Sequence, residues 1–326
     1  MHKVFTIIIS LLLISTVWSI EVEKKGSDVT NSEINADSLL SEGDAIFKAN
    51  EYEKALEKYE KALKASQGEF NNSVEVEALS QIARMYLITG KKEEGRKWIA
   101  EAGEKARESD PMGWSRYLGV KGRFEWQDDD LKTSKETFNQ MYTFCHVNAL
   151  WGRAVDAAHM IAIVAETPEE QIEWGRRGIE AAEANENESW LGPLWNNLAG
   201  TYWENKQYDT ALECYLKARE YHWRFSGETA KLFADYHVGM TYRFLGNYKE
   251  ARQWLRPVLA WAERLENHGA IGQACEDLGE ADIAENKKQA GLIFLKRARD
   301  EYKLEGYDKT WPELWDGINK RIGELE

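Results

Sequence analysis

The sequence predicts an all-α solenoid of about seven antiparallel helix pairs, followed by a C-terminal capping helix. Three observations predict this fold. Small residues recur at one place about every forty residues, turn-forming dipeptides fall within each recurrence, and only five prolines occur in 326 residues. Proline interrupts helices, so its scarcity favours long ones. A recurrence of this length is typical of helical repeats that stack in chain order.

One recurring position defines seven repeats, and it holds a small residue in six of them. Its members are Gly43, Ala83, Gly122, His159, Ala199, Gly239 and Gly279, which lie 40, 39, 37, 40, 40 and 40 residues apart. A second column of mostly small residues, headed by Ala55, follows twelve residues later in each repeat. Helices approach one another closely only where side chains are small. We therefore expect the helices to pack against each other at these two columns.

A turn separates the two helices of each repeat. The turn dipeptides are Asn50-Glu51, Gly90-Lys91, Asp129-Asp130, Thr167-Pro168, Asn205-Lys206, Gly246-Asn247 and Asn286-Lys287, and these residue types favour turns. The predicted helices are residues 34–48, 52–66, 73–88, 92–108, 112–127, 131–145, 149–164, 168–184, 189–204, 208–225, 228–244, 248–266, 269–285 and 288–304. A last helix is predicted over residues 311–325, where Thr310 and Pro312 mark a helix start, and it would cover the end of the last repeat.

The clearest repeat lies in residues 194–218. Its Ala199, Tyr202, Ala211, Tyr215 and Ala218 resemble the small and aromatic pattern of the tetratricopeptide repeat (TPR) family. The usual TPR has about 34 residues, so these repeats would be longer than usual. The resemblance implies a right-handed solenoid whose first helices line a concave surface that binds a protein or peptide. On this reading the seven repeats cover residues 34–305 and the capping helix covers 306–326.

The first 33 residues differ from the repeats. His2 and Lys3 precede an apolar run over residues 4–17, and polar sequence follows. This order is typical of a secretory signal peptide, which we expect over residues 1–19, with a flexible linker over 20–33. An uncleaved membrane anchor is the alternative, although the run is short against the roughly 20 residues of a spanning helix. The sequence thus predicts an exported protein, periplasmic or secreted, with no membrane insertion after signal removal.

Charge and cysteine content exclude several classes of function. The formal net charge is −14, whereas nucleic-acid binding needs clustered Lys and Arg, so no nucleic-acid partner is predicted. Cys145, Cys214 and Cys275 are too few and too widely spaced for a disulfide framework, so we expect buried free thiols. The sequence contains no dinucleotide-binding, phosphate-loop or metalloprotease motif, and its six histidines lack metal-ligand spacing. We predict no enzyme, no cofactor and no metal site.

The candidate binding residues come from the first helices. When the first small residue of a repeat is counted as position 8, the family resemblance assigns the concave face to positions 2, 5, 6, 9, 12 and 13. The predicted partner-binding residues are Arg116, Arg123, Trp126, Arg153, Asn197, Trp203, Tyr236, His237 and Arg243. Arginine binds a carboxylate through two parallel hydrogen bonds, and aromatic side chains supply rigid apolar area. At Asn197 the resemblance implies an asparagine that binds peptide backbone.

Other interpretations of these residues stay open at this point. The arginines could instead pair with neighbouring acidic side chains, and Trp126 and Trp203 could pack between helices. Fourteen tryptophans also suit a glycan ligand, because sugar rings stack on exposed aromatic side chains. A third alternative is an α-helical polysaccharide-cleaving enzyme, although spacing distinguishes no pair of catalytic carboxylates. The sequence does not indicate an oligomeric state.

Overall fold

The computed structural model describes residues 35–326, in which sixteen α-helices and one 3₁₀-helix (Glu188–Trp190) form the regular structure and no strand occurs. The α-helices are α1 (Ala36–Lys48), α2 (Tyr52–Glu69), α3 (Asn72–Ile88), α4 (Lys92–Lys105), α5 (Pro111–Gln127), α6 (Leu131–Val147), α7 (Trp151–Val164), α8 (Pro168–Ala184), α9 (Leu191–Glu204), α10 (Tyr208–Phe225), α11 (Glu228–Phe244), α12 (Tyr248–Arg264), α13 (His268–Ala284), α14 (Lys288–Leu304), α15 (Tyr307–Thr310) and α16 (Pro312–Leu325). The signal peptide predicted at 1–19 and the linker predicted at 20–33 lie outside the described residues. The all-α solenoid fold class predicted from the sequence is confirmed.

Every predicted helix is present, and its ends agree with the prediction to within three residues. The turns explain this agreement. In six of the seven turns between paired helices one residue adopts a left-handed backbone conformation, namely Asn50, Gly90, Asp129, Lys206, Gly246 and Asn286. In the remaining turn the next helix is capped at its N-terminus. The Thr167 side chain accepts a hydrogen bond from the backbone N–H of Glu170, and Pro168 is the first residue of α8. Local sequence therefore determines where each helix stops.

The two columns of small residues lie where paired helices touch. A Cβ atom at Gly122 would lie 2.7 Å from ring atoms of Phe138, on the second helix of the same pair. A Cβ atom at Gly291 would lie 2.7 Å from the backbone oxygen of Gly279. Such distances leave no room for a side chain, so glycine permits the approach. Small residues thus recur in the sequence because they lie at the contacts between helices.

The chain divides into two compact units. Unit 1 ends at Leu198, within α9, and unit 2 comprises Ala199–Glu326. In unit 1 the largest fully buried side chains include Tyr59 and Phe138, and in unit 2 they include Tyr215 and Tyr302. The last helix of unit 2, α16, packs against α14 and buries Ile318, Ile322 and Leu325. It lies against the last repeat, where the sequence placed a capping helix.

The three cysteines are free and buried, as predicted. Burial raises the pKa of the Cys145 thiol to about 11 and that of Cys275 to about 12. The thiolate is the reactive form of cysteine, so these thiols act as packing groups at neutral pH. Across residues 35–326, no helix combines the length and the apolar character needed to cross a membrane.

Candidate functional site

The candidate site is a set of charged and polar side chains on the first helices of unit 1. We call it the first-helix face of unit 1. Its members come from α1, α3, α5 and α7 and occupy repeat positions 2, 5, 6 and 9. They are Asp44, Glu77, Gln81, Arg84, Arg116, Arg123, Arg153 and Asp156.

Glu77 lies at the centre of this face and is 4% exposed. Its Oε2 atom accepts a hydrogen bond from Arg116 Nε at 3.1 Å and another from Arg153 Nη2. Arg116 Nη2 also donates to Asp44 Oδ2 at 2.7 Å. Arg153 donates in addition to the Ser115 hydroxyl at 2.6 Å. One continuous network of charges therefore joins four successive first helices.

Asp44 is held as a carboxylate in this network. It accepts hydrogen bonds from the Tyr59 hydroxyl at 2.8 Å and from Gln81 Nε2 at 2.6 Å. Burial alone would raise its pKa, but the Arg116 guanidinium and these donors together hold the pKa of Asp44 below its usual value. The carboxylate thus keeps Arg116 in a fixed position.

A second ion pair on the face joins α5 to α7. Arg123 Nη2 donates to Asp156 Oδ1 at 2.7 Å, and Arg123 Nη1 donates to the Gly119 carbonyl at 2.8 Å. Burial opposes ionisation of Asp156, but the Arg123 and Arg84 guanidinium groups lower its pKa. The Arg123 side chain is only 12% exposed, so contacts within the protein fix its orientation.

Arg84 differs from the other three arginines of the face. Its guanidinium lies 4.5 Å above the Phe47 ring, and its buried Nε atom has no hydrogen-bond partner. Burial and the nearby Arg123 and Arg116 charges lower the pKa of Arg84 to about 10, against the opposing effect of the Asp156 carboxylate. The face therefore holds four arginines against three carboxylates, which leaves one surplus positive charge in a chain of net charge −14.

The structure brings three of the predicted binding residues together. Arg116, Arg123 and Arg153 all belong to the first-helix face, and each forms the internal ion pair that the sequence left open as an alternative. Trp126 is partly buried and packs against the core of unit 1. Asn197 Nδ2 lies 2.7 Å from His159 Nε2, so this amide contacts the one bulky member of the small-residue column.

The predicted residues of unit 2 form a separate group. Arg243 pairs with Asp277 and lies 3.9 Å above the Phe244 ring. Trp203 contacts the same ring edge-on, with centroids 4.8 Å apart. Tyr236 is 9% exposed and His237 6%, and His237 stacks on Tyr215 at 4.9 Å.

This burial corrects the prediction for two residues of unit 2. Tyr236 and His237 have almost no surface left for direct contact with a partner, because they pack inside the unit. Burial lowers the pKa of His237 to about 3, so its imidazole stays neutral at physiological pH. Both residues support the face of α11 from within.

Asp44, Glu77 and Arg84 were not among the binding residues predicted from the sequence. They lie in repeats one and two, which supplied no candidates, yet they occupy repeat positions 9, 2 and 9. The same register that selected Arg116 and Arg123 would have found them. The signal was therefore present in the sequence, although the pairing between these residues was not.

Acid is expected to destabilise the protein before its ordinary carboxylates titrate. Burial lowers the pKa of His159 to about 4, of His222 to about 4 and of His237 to about 3. In the unfolded chain these histidines take up protons near pH 6.5, whereas in the folded chain they stay neutral. The unfolding free energy is therefore undiminished above about pH 6.5 and falls as the pH drops towards about 4. Each contributes at most about 1.4 kcal/mol per pH unit.

One buried carboxyl opposes this loss. Burial raises the pKa of Glu276 from 4.5 to about 7. Between these two pH values the carboxyl is protonated in the folded chain and ionised in the unfolded chain, so a lower pH favours folding at this group. Three histidines against one carboxyl leave a net fall in unfolding free energy of about 2–3 kcal/mol per pH unit near pH 5. Urea denaturation at pH 7, 6 and 5 measures this fall in unfolding free energy. Glu276→Gln should make the fall steeper, because it removes the group that opposes it. Equal stability at pH 7 and pH 5 would refute the assignment.

These features define a class of protein, a helical-repeat protein with an ordered polar surface on its first helices. Residues 192–220 and 237–268 each match a family model described as tetratricopeptide repeat. The chain therefore contains tetratricopeptide repeats in these two segments. No curated protein sequence matches it, and the part of the chain between residues 35 and 326 contains no group of three or more His, Cys, Asp or Glu that could hold a metal ion.

Several solved structures share this fold. One is a signal transduction ATPase with numerous domains and a tetratricopeptide repeat sensor from Pyrococcus horikoshii, with TM-score 0.68 and 14% identity over 88% of this chain and 44% of that one. The apo form of RapI has TM-score 0.66 and 15% identity over 82% and 76%. BtubC from P. vanneervenii has TM-score 0.55 and 12% identity over 71% and 92%. The chain thus spans less than half of the Pyrococcus protein, and identities this low show the fold alone.

Proposed function

We propose that the chain is a non-catalytic scaffold that binds a protein or peptide along the first-helix face of unit 1. The observation that carries this proposal is the ion-pair network of Arg116, Arg123 and Arg153, in which carboxylates fix three arginines across α1, α3, α5 and α7. Side chains that are already ordered lose little conformational entropy when a partner binds. A pre-arranged arginine surface therefore favours recognition without a large conformational change.

The other features of the chain agree with a binding role. The Pyrococcus protein of similar fold is described as having a tetratricopeptide repeat sensor. Trp126 and Trp203, on which a glycan ligand would depend, are partly buried against other side chains. A protein or peptide is therefore the ligand that we propose.

We also propose that the protein is exported to the periplasm or the secreted space. The support is the order of a basic start, an apolar run over residues 4–17 and polar sequence after it. Recovery of a mature chain that begins at Ile20 outside the cytoplasm would support export, and recovery of the full-length chain from the cytoplasm would refute it.

The binding proposal is tested by capture from the native compartment. The full chain is immobilised, and bound proteins are identified and quantified by mass spectrometry. We expect Arg123→Lys and Arg153→Lys to reduce capture of the principal partner about tenfold, because lysine keeps the charge but not the planar fork of donors.

Arg177→Lys supplies the matched control. Arg177 lies on the second helix α8 and its side chain is 46% exposed; it pairs with Glu173 one turn away and lies 4.6 Å from the Trp174 ring. Because it is not part of the first-helix face, its replacement should leave capture unchanged. Thermal melting of each variant confirms folding. Equal capture by all three variants and the parent chain would contradict the assignment of the binding face.

A further inference from the structure

We propose that the second helices of unit 2 dock against an anionic lipid surface. The docking surface is formed by the C-terminal halves of α10, α12 and α14, and we call it the second-helix band of unit 2. It comprises residues 216–225, 256–264 and 296–304. The band and the first-helix face of unit 1 lie on different helices, so docking here is a second function besides the binding proposed above.

Two contacts join the three segments of the band into one surface. The Trp223 ring on α10 lies 5.9 Å from the Trp261 ring on α12, centroid to centroid. Arg297 on α14 forms an ion pair with Glu263 on α12. The C-terminal halves of the three helices therefore lie side by side.

The band is basic, although the chain as a whole is acidic. Its 28 residues include nine Lys and Arg but only four Asp and Glu. Two carboxylates from outside the band pair with it, Asp235 with Arg219 and Glu326 with Lys296. Positive charge remains in excess after both are counted.

The second helices of unit 1 show no such excess. In each of their corresponding segments the number of Lys and Arg equals the number of Asp and Glu. These segments are residues 60–69, 97–105, 139–147 and 176–184. A general preference for basic residues near helix C-termini therefore does not explain the charge of the band.

Exposed apolar side chains lie among these charges. The exposed large apolar side chains of unit 2 all belong to second helices, namely Leu216, Trp223, Ile293 and Leu304. Leu216 and Trp223 are seven residues apart and Ile293 and Leu304 are eleven, so each pair lies within about 20° on one side of its helix. Unit 2 thus presents aliphatic and indole groups to solvent next to cationic ones.

This composition fits a lipid surface better than a protein partner. Leu, Ile and Trp insert at the boundary between headgroups and acyl chains, while Lys and Arg are attracted to anionic headgroups. Charged residues are depleted at the core of protein interfaces, whereas thirteen of the 28 residues of the band are charged. Trp223 is also held in place, because its indole N–H donates to Asp235 Oδ1 at 2.9 Å while 43% of the residue stays exposed.

The electrostatic part is tested by cosedimentation of the full chain with vesicles of phosphatidylcholine, with and without about 30% phosphatidylglycerol. We expect the parent chain to bind the anionic vesicles at least about tenfold more tightly. Arg256→Gln and Lys303→Gln, at two exposed positions of the band, should each weaken that binding about fivefold. Lys61→Gln and Lys64→Gln, at exposed positions of α2, are the matched controls and should change it less than about twofold.

The apolar part is tested with the same vesicles. Leu304→Asn should weaken binding about fivefold, because it removes an aliphatic group from the inserted surface. The control is Phe70→Asn, at a residue of unit 1 that is 94% exposed and has the left-handed backbone conformation that asparagine tolerates. It should change binding less than about twofold, and thermal melting confirms that each variant folds.

Equal binding to vesicles with and without phosphatidylglycerol would overturn the proposal, and so would equal losses in the band variants and their controls. The segment before residue 35 is the same in every variant, so differences between variants report on the band. A DNA duplex that binds as tightly as the anionic vesicles, together with full vesicle binding by Leu304→Asn, would indicate a phosphate-binding surface instead of a lipid-docking one.

Discussion

Replacing Glu77 with alanine is expected to lower the free energy of unfolding by about 3–5 kcal/mol, the cost of breaking a buried ion pair from one side. Glu77 is almost fully buried and is the common acceptor for Arg116 and Arg153. Its removal leaves Arg153 without a carboxylate and exposes Arg116 to like charges nearby. The link from α3 to α5 and α7 is lost at the same time. Urea denaturation of the full chain measures the change.

The matched control is Glu173→Ala on α8. Glu173 also accepts from an arginine, but both side chains are about half exposed, so we expect a change of only about 0–1 kcal/mol. If the unfolding free energy of Glu77→Ala lies within about 1 kcal/mol of the parent value, the ion-pair network does not hold the first helices of unit 1 together.

Replacing Gly291 with valine is expected to lower the free energy of unfolding by about 3 kcal/mol, at the upper end of the usual cost of overpacking. A Cβ atom at this position would lie 2.5 Å from Cγ1 of Ile283 and 2.7 Å from the backbone oxygen of Gly279. A side chain can turn away from such a contact, but a backbone oxygen cannot. The variant must therefore separate α13 from α14, which exposes the interior of the last helix pair.

Gly317 provides the control for this substitution. It lies in α16 with nothing within 4 Å of a built Cβ atom. Gly317→Ala should therefore be neutral or stabilise by up to about 1 kcal/mol, because alanine is the better helix former. If Gly291→Val unfolds at the same urea concentration as the parent chain, the small-residue columns do not mark helix contacts.

The helices could be predicted from the sequence because short-range signals determine them. Turn residues at fixed offsets, such as Asn50 and Gly246, adopt left-handed conformations that end one helix and permit the next. The exception is α15, a four-residue helix that follows Gly306. It is too short to show a hydrophobic period, so no sequence signal distinguished it from a loop.

The candidate site could be predicted only in part, because its pairings are long-range. The repeat register placed Arg116, Arg123 and Arg153 on one face, which the structure shows. It did not reveal that Arg153 reaches Glu77, 76 residues earlier in the chain. That contact depends on the rotation of each helix about its axis, where one residue corresponds to about 100°.

The two misplaced residues of unit 2 have a different cause. Tyr236 and His237 lie about 100° apart on α11, towards opposite sides of the predicted face, so rotation of the helix cannot bury both. Contacts from other helices bury them, with Tyr215 stacked on His237 and Asp277 hydrogen-bonded to Tyr236. Position in a repeat therefore identifies the helix surface, but burial decides which side chains remain available to a partner.

A crystal structure of the full chain tests most directly whether carboxylates hold the arginines of the first-helix face in place. We expect Arg116 and Arg153 to share the Glu77 carboxylate and Arg123 to pair with Asp156. Guanidinium groups of these three arginines that point into solvent, away from Glu77 and Asp156, would contradict this expectation.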